Sequence, residues 1–212
     1  MKKFKRRDKT QSLGEELANA ISHGVGALIG IVGLVLLLIK SNTVEEYVGS
    51  SIFGASIIIL YLMSCLYHSF PLGTAKSVFK RFDHISIYLL IGGTFAPIFL
   101  IALDSPLKWI MLASQWAIII VGIILKAIMV YKYQKIHIIL FLLLGWSGLF
   151  FMHRLLAFPH SLWFILAGGI SYSIGVLFYA LRPFKYAHFV WHLFVIGGTT
   201  LQFFAIYLYL IG

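Results

Sequence analysis

Residues 18–39 read ANAISHGVGALIGIVGLVLLLI, twenty-two residues without a formal charge, preceded by Glu15 and Glu16 and closed by Lys40. A helix of that length rises about 33 Å at about 1.5 Å per residue, enough to cross a hydrocarbon core about 30 Å thick. Six comparable runs follow, at Tyr47–Tyr67, Phe82–Leu103, Trp109–Tyr131, Ile136–Met152, Leu162–Leu181 and His188–Ile211. The whole chain has 212 residues, 60% hydrophobic and 11% charged, whereas a soluble domain is about 45–50% apolar and about 25% charged. A multidomain soluble enzyme is excluded. The expectation is an all-α polytopic membrane protein: a seven-transmembrane helix bundle formed by residues 18–212, with residues 1–17 as a basic tail.

The first run is not a signal peptide on this reading, since it exceeds the usual apolar core of one and no cleavage site follows Ile39. The fifth run is the weakest, being short and separated from the fourth only by a brief polar break. Charge supports the count of seven. With seven spans, one side receives Lys2, Lys3, Lys5, Arg6, Arg7 and Lys9, then Lys76, Lys80 and Arg81, then Lys126, Lys132 and Lys135, then Arg182 and Lys185. These are 14 of the 17 basic residues, leaving Lys40, Lys108 and Arg154 opposite. The positive-inside rule then makes the N-terminus cytoplasmic and the C-terminus extracytoplasmic, in a multi-pass cell-membrane protein. The formal charge of +10 follows from this topology, so no nucleic-acid partner is expected.

Ionisable residues at membrane depth are expensive and mark function by default. Here they gather at span ends that alternation puts on the cytoplasmic side. The second span ends Ser64-Cys65-Leu66-Tyr67-His68, the third begins Phe82-Asp83-His84, and the seventh begins His188-Phe189-Val190-Trp191-His192. His188 and His192 are four residues apart, on one helix face and about 6 Å apart along the axis. With His68 they would supply three imidazoles, the composition of a catalytic zinc site that keeps its fourth position open. A single cysteine, Cys65, excludes a thiolate site. Asp83 and Ser64 are then placed around the water, Asp83 as its base. Asn19 and His23 of the first span lie at the same level, as candidate partners of the ligating side chains.

Blander readings exist for each residue. Asp83 would serve as N-cap of the third helix, Ser64 would bond back to a helix carbonyl, and a lone HxxxH pair is often merely interfacial. Convergence of three span ends, inferred from charges outside the motif, favours the metal. His84 points about 100° away from Asp83 on a helix and is set aside. His137, His153 and His160 read as surface or interfacial, Cys65 as buried and inert, and Lys126 as snorkelling to the interface. Gly26 and Gly30, Gly92-Gly93 with Pro97, Gly168-Gly169 and Gly197-Gly198 read as helix packing or bending sites.

These residues resemble a known family. From Glu16 onward, Glu16-Leu-Ala-Asn19-Ala-Ile-Ser-His23, then Ser64-x-x-x-His68 with Phe-Asp83-His-Ile-Ser-Ile-Tyr and Gly-Gly-Thr-Phe-Ala-Pro at 92–97, then His188-x-x-x-His192, the chain is similar to the bacterial haemolysin III-type members of the progestin and adipoQ receptor family. The resemblance implies seven helices and a zinc ion (Zn²⁺) near the cytoplasmic face, held by His68, His188 and His192, with Asp83 and Ser64 around its water. That family is in turn similar to the alkaline ceramidases, and its haemolysin name reflects lytic activity attributed to some members.

Three functions are therefore weighed. The first is a zinc-dependent hydrolase of a membrane lipid amide or ester near the cytoplasmic leaflet. The second is a receptor or sensor with a structural zinc, and the third a cytolytic protein. A pore needs a polar stripe, and the interior supplies only Ser114, Gln115, Thr94, Thr199, Thr200 and Gln202. A retinal protein is excluded because no lysine follows Lys185, and a G-protein-coupled receptor by the inside N-terminus. Reporter fusions at Lys9 and Gly212 test the topology. They are expected on opposite faces of the membrane, with Lys9 inside, and both on one face would refute seven spans.

Overall fold

The computed structural model describes residues 11–129 and 132–212. Among the described residues all regular structure is helical: α1 (Leu13–Lys40), α2 (Val44–Ser69), α3 (Thr74–Ala102), α4 (Leu107–Ile128), α5 (Gln134–Gly145), a 3-10 turn (Ser147–Phe151), α6 (Met152–Leu155), α7 (Pro159–Leu181) and α8 (Ala187–Tyr209). Seven stretches are long and apolar enough to cross a membrane, with α5, the turn and α6 together forming the fifth, Gln134–Leu155. The span that is weakest in sequence is thus the one that breaks. The expectations for residues 1–10, and for the end of the fourth span at Tyr131, fall outside the described residues. Leu28, Ile29, Val32 and Ile39 of α1 are each exposed by 60% or more, an outer face that suits acyl chains and not water.

Helix starts lie further out than hydropathy indicates, because polar first turns carry the caps. Ser12 caps α1 in a reciprocal box: its hydroxyl accepts the Glu15 N–H at 3.4 Å, and the Glu15 carboxylate accepts the Ser12 N–H at 2.8 Å. Thr43 caps α2 by accepting the Glu46 N–H at 3.3 Å. The largest difference is α3, which begins at Thr74 instead of near Phe82. Its first two turns carry Lys76, Lys80 and Arg81, charges that an apolar run cannot include. Asp83 therefore lies in the third turn of a continuous helix, and its reading as an N-cap is wrong.

Packing runs in a ring, with α1 against α2 and α8, α2 against α3, α3 against α4, and α7 against α8. Small residues set the spacing. A β-carbon at Gly30 would stand 2.9 Å from Ile57 Cγ2, one at Gly198 would stand 2.7 Å from the Tyr172 ring, and one at Gly49 would stand 2.6 Å from Pro97 Cα. At that last seam Pro97 has no N–H, so the helix loses a backbone bond where α2 packs against it. The fifth span touches α3, α4 and α7 only lightly, which leaves internal space beside it. The starts of α1, α3 and α8 and the end of α2 share one end of the bundle, here called the basic end. At the other end Lys108 pairs with Glu45 at 2.8 Å and Arg154 with Asp104 at 2.9 Å.

Two glycine substitutions test this packing. Gly49→Ala drives a methyl group into backbone and should lower stability by about 1–3 kcal/mol, the usual cost of overpacking. Gly145→Ala meets nothing within 4 Å and should be tolerated. Thermal unfolding in detergent measures both, and equal effects would refute the close α2–α3 seam.

Candidate metal centre

The last turn of α2 and the first two turns of α8 bring His68, His188 and His192 together. Each offers one donor nitrogen, and the three donors lie within 4.8 Å of one another. The ring centroids of His68 stand 5.2 Å from His188 and 5.1 Å from His192, while those of His188 and His192 are 4.8 Å apart. His68 and His192 are buried and His188 is half-buried. His68 Nε2 and His188 Nδ1 are inaccessible and have no hydrogen-bond partner. A buried polar group left unpaired costs about 1–3 kcal/mol, and a cation among three imidazoles is what such lone pairs accept. The residues therefore fit a metal ion, and the nitrogen donor set suits zinc, copper, nickel or iron(II) better than calcium or magnesium.

Around this group the expected neighbours sort differently. Ser64, one turn before His68, is 1% exposed, and its hydroxyl bonds to no helix carbonyl but faces the Asp83 carboxylate. Ser56 and Ser69 of the same helix instead bond back to Phe53 and Cys65 carbonyls, so Ser64 is set apart from the ordinary fate of a helical serine. Asp83 faces the same cavity as Ser64 but is not one of the three mutually close donors. His23 stacks on His192 with centroids 3.6 Å apart and planes 5° off parallel. The Asn19 side chain turns away, donating to Gln11 at 2.8 Å. Its backbone carbonyl accepts from the Ser22 hydroxyl at 3.0 Å, and that hydroxyl lies 3.4 Å from His192 Nδ1. Ser22, not the Asn19 side chain, is the link to the ligand.

Sequence reasoning misses several residues of this region. Glu16 Oε2 lies 2.6 Å from His68 Nδ1, and Glu16 Oε1 lies 2.9 Å from Lys76 Nζ. The signal is present in part: Glu16 and His23 are seven residues apart, two turns along one face of α1. His84, set aside on its angle, is buried beside the site. Its Nδ1 donates to the Lys80 carbonyl at 2.7 Å, and its Nε2 lies 3.4 Å from the Tyr179 hydroxyl. Its Nδ1 also lies 3.5 Å from Asp83 Oδ2, so the 100° between the two residues does not part their side chains, and Tyr179 of α7 meets the ring from the other side.

Other expectations need correction. Lys126 does not snorkel: it is 1% exposed, turned inward one turn after Gly122, where α4 meets Tyr88 closely, and it interacts electrostatically with Asp83 and Lys80. His137 is not at the surface; it is 3% exposed, with Nδ1 2.7 Å from the Tyr88 hydroxyl. Cys65 is half-buried, not fully buried. His153 and His160 are exposed at the far end, as expected.

Two cavities meet at the histidines. One, of about 130 Å³, runs from Asp83 and His188 past Leu90, Ile98 and Leu162 to Gln202. His188 and Gln202 are fourteen residues apart on α8, about 21 Å along the axis. The other opens at the basic end between Gln11, Lys76, Lys80 and Arg182. Asp83, His84, Tyr179 and His188 line both. The site thus lies at a neck between a long apolar chamber and a polar vestibule. Among the described residues no polar stripe crosses the bundle. Gln115 is bonded to Ser147, Tyr172 to Thr199, and Gln202 to the Ile165 carbonyl.

Comparison with known proteins agrees with this architecture. The haemolysin-III related family matches residues 11–203. Hemolysin-3 of Bacillus cereus is 38% identical over 207 residues, covering 95% of this chain and 94% of that one. The Hemolysin-3 homolog of Bacillus subtilis (strain 168) is 35% identical over 203 residues, covering 93% and 95%. The human Monocyte to macrophage differentiation factor is 28% identical over 204 residues, covering 92% and 84%. The chain belongs to the haemolysin-III related family and is a multi-pass membrane protein.

Metal content checks the histidine group. The purified protein should hold about one transition-metal ion per chain, the capacity of one three-histidine site. His68→Ala and His192→Ala should each lose most of it, while His137→Ala and His160→Ala should keep it. Equal content in all four variants would refute the assignment.

Proposed function

We propose that this haemolysin-III related protein is a zinc-dependent hydrolase that cleaves a lipid amide or ester at the cytoplasmic leaflet. The observation that carries the reading is the neck: three imidazole donors, with the Ser64 hydroxyl and the Asp83 carboxylate facing each other beside them, at the junction of an apolar chamber and a polar vestibule. His68, His188 and His192 would hold the ion. When bound, zinc polarises a carbonyl and makes water a nucleophile at neutral pH.

The chain's own residues do the rest. The chamber is long enough to take an acyl chain, since about 21 Å exceeds one leaflet's share, about 15 Å, of the hydrocarbon core. It brings the chain's carbonyl to the neck with its head group toward the vestibule. Ser64 is placed to hydrogen-bond the carbonyl or the attacking water. Asp83 takes a proton from that water as the C–O bond forms, and returns it to the departing amine or alcohol as the C–N or C–O bond breaks. The leaving group goes to the vestibule and the acid stays with the chamber. The positive-inside count supports a cytoplasmic position for this end of the bundle.

One observation favours a second reading, a receptor in which the ion is structural. The three histidines come from α2 and α8, which make little direct contact, so an ion there would tie them together. A cytolytic role is suggested only by the names of the bacterial relatives.

Asp83→Asn separates the first two. For a hydrolase with Asp83 as base, zinc and melting temperature should survive, while turnover of ceramides and phospholipids falls about 10²–10⁴-fold. For a structural site that uses Asp83, zinc and thermal stability should fall together. Retained zinc with unchanged turnover would overturn the base. A wild type inactive on every lipid would overturn the hydrolase.

A further inference from the structure

A histidine presents a lone pair to a metal from one ring nitrogen only, and the hydrogen bond made by the other decides which. In water the two tautomers of an imidazole differ little in energy. His68 sits where this choice cannot be left to solvent, because it is 3% exposed and its Nε2 is closed off without a partner. Its Nδ1, in contrast, lies 2.6 Å from Glu16 Oε2. A carboxylate only accepts hydrogen bonds when ionised, so in the neutral ring the proton sits on Nδ1 and the lone pair on Nε2.

Glu16 is itself held from two directions. Its other oxygen pairs with Lys76 Nζ at 2.9 Å. That ammonium also donates to the Tyr67 and Phe70 carbonyls, each at 3.1 Å, at the end of the helix that carries His68. The preceding residue fixes the register of α1. Glu15 Oε2 completes the cap with Ser12, and Glu15 Oε1 accepts the Tyr186 N–H at 3.0 Å, two residues before His188. The first turn of α1 therefore reaches both helices that supply the donors, although α1 supplies none.

We propose that Glu16 is a positioning residue of the metal centre: held by Lys76, it fixes the tautomer and rotation of His68 so that Nε2 faces His188 and His192. The inference rests on metal binding by these histidines and does not require the hydrolase. Carboxylates that orient ligating histidines are typically worth about 10–100-fold in metal affinity.

Zn²⁺ affinity, measured by chelator competition on the full chain in detergent, tests this together with ¹⁵N NMR of the metal-free imidazoles. Wild type should show His68 protonated at Nδ1. Glu16→Leu removes the acceptor and should mix the tautomers and weaken Zn²⁺ binding about 10–100-fold. The double variant Glu16→Gln with Lys76→Gln should restore both. In it the new amide at position 16 turns its oxygen to His68 and its NH₂ to the carbonyl of the new amide at position 76. A merely structural role for Glu16 would not move the tautomer. Wild-type affinity with an unchanged tautomer in Glu16→Leu would overturn the proposal. So would a double variant that melts like wild type but binds as weakly as Glu16→Leu. If Glu16→Leu does not fold, the double variant decides alone. A wild type that binds no Zn²⁺, with the Nδ1–H tautomer intact, would overturn the metal centre itself.

Discussion

Hydrocarbon offers a polar group no hydrogen-bond partner, and both the fold and the site of this protein follow from that. The backbone satisfies itself by forming helices. Most side chains in the spans do likewise: the Ser41, Ser56, Thr94 and Ser173 hydroxyls turn back to carbonyls of their own or the preceding helix turn, and Gln115 finds Ser147 while Tyr172 finds Thr199. Exceptions such as Ser161 and Gln202 Oε1 are scattered singly. At the neck they cluster, with four histidine nitrogens, on His23, His68 and His188, left over within one region. Unmet demand concentrated at one place is the physical mark of a site built for something the chain does not itself contain.

The same bundle is tight in one half and loose in the other. Glycines let α1, α2 and α3 approach one another and let α7 lie on α8, so side chains interlock and the donors from α2 and α8 are carried on well-fixed helices. The fifth span cannot join this packing as a single rod, since it passes through a 3-10 turn near its middle. Between it, α3, α7 and α8 lies the long chamber. A rigid frame with one poorly filled side is what a membrane site needs to hold its ligands still and still admit a chain from the bilayer.

Reasoning from single spans fails where a neighbouring helix determines a side chain's environment. Lys126 has the composition of a snorkelling residue, but α3 covers it. His137 lies near a helix start, where exposure is the ordinary expectation, and Tyr88 reaches it across the bundle. His84 is set aside on its angle to Asp83, yet its Nδ1 stays 3.5 Å from that carboxylate while Tyr179 of α7 meets its Nε2. In each case the deciding contact is with a residue far away in the chain, beyond any periodicity or spacing rule.

The seven spans, the shared end of the polar residues and the trio of His68, His188 and His192 are legible in the sequence, because each rests on a local quantity: the length of an uncharged run, the alternation of basic loops, and the four-residue repeat of a helix face. The start of α3 is not, since its first turns are amphipathic and a hydropathy scan cannot distinguish them from a loop. Only the tertiary structure decides which nitrogens are left unpaired, that Ser64 lacks a helix carbonyl partner, and that the Glu16 side chain rather than that of Asn19 meets a ligand. Those outcomes depend on hydrogen-bond distances of about 3 Å between helices, whose relative rotation and depth are set by side-chain packing summed over the whole bundle.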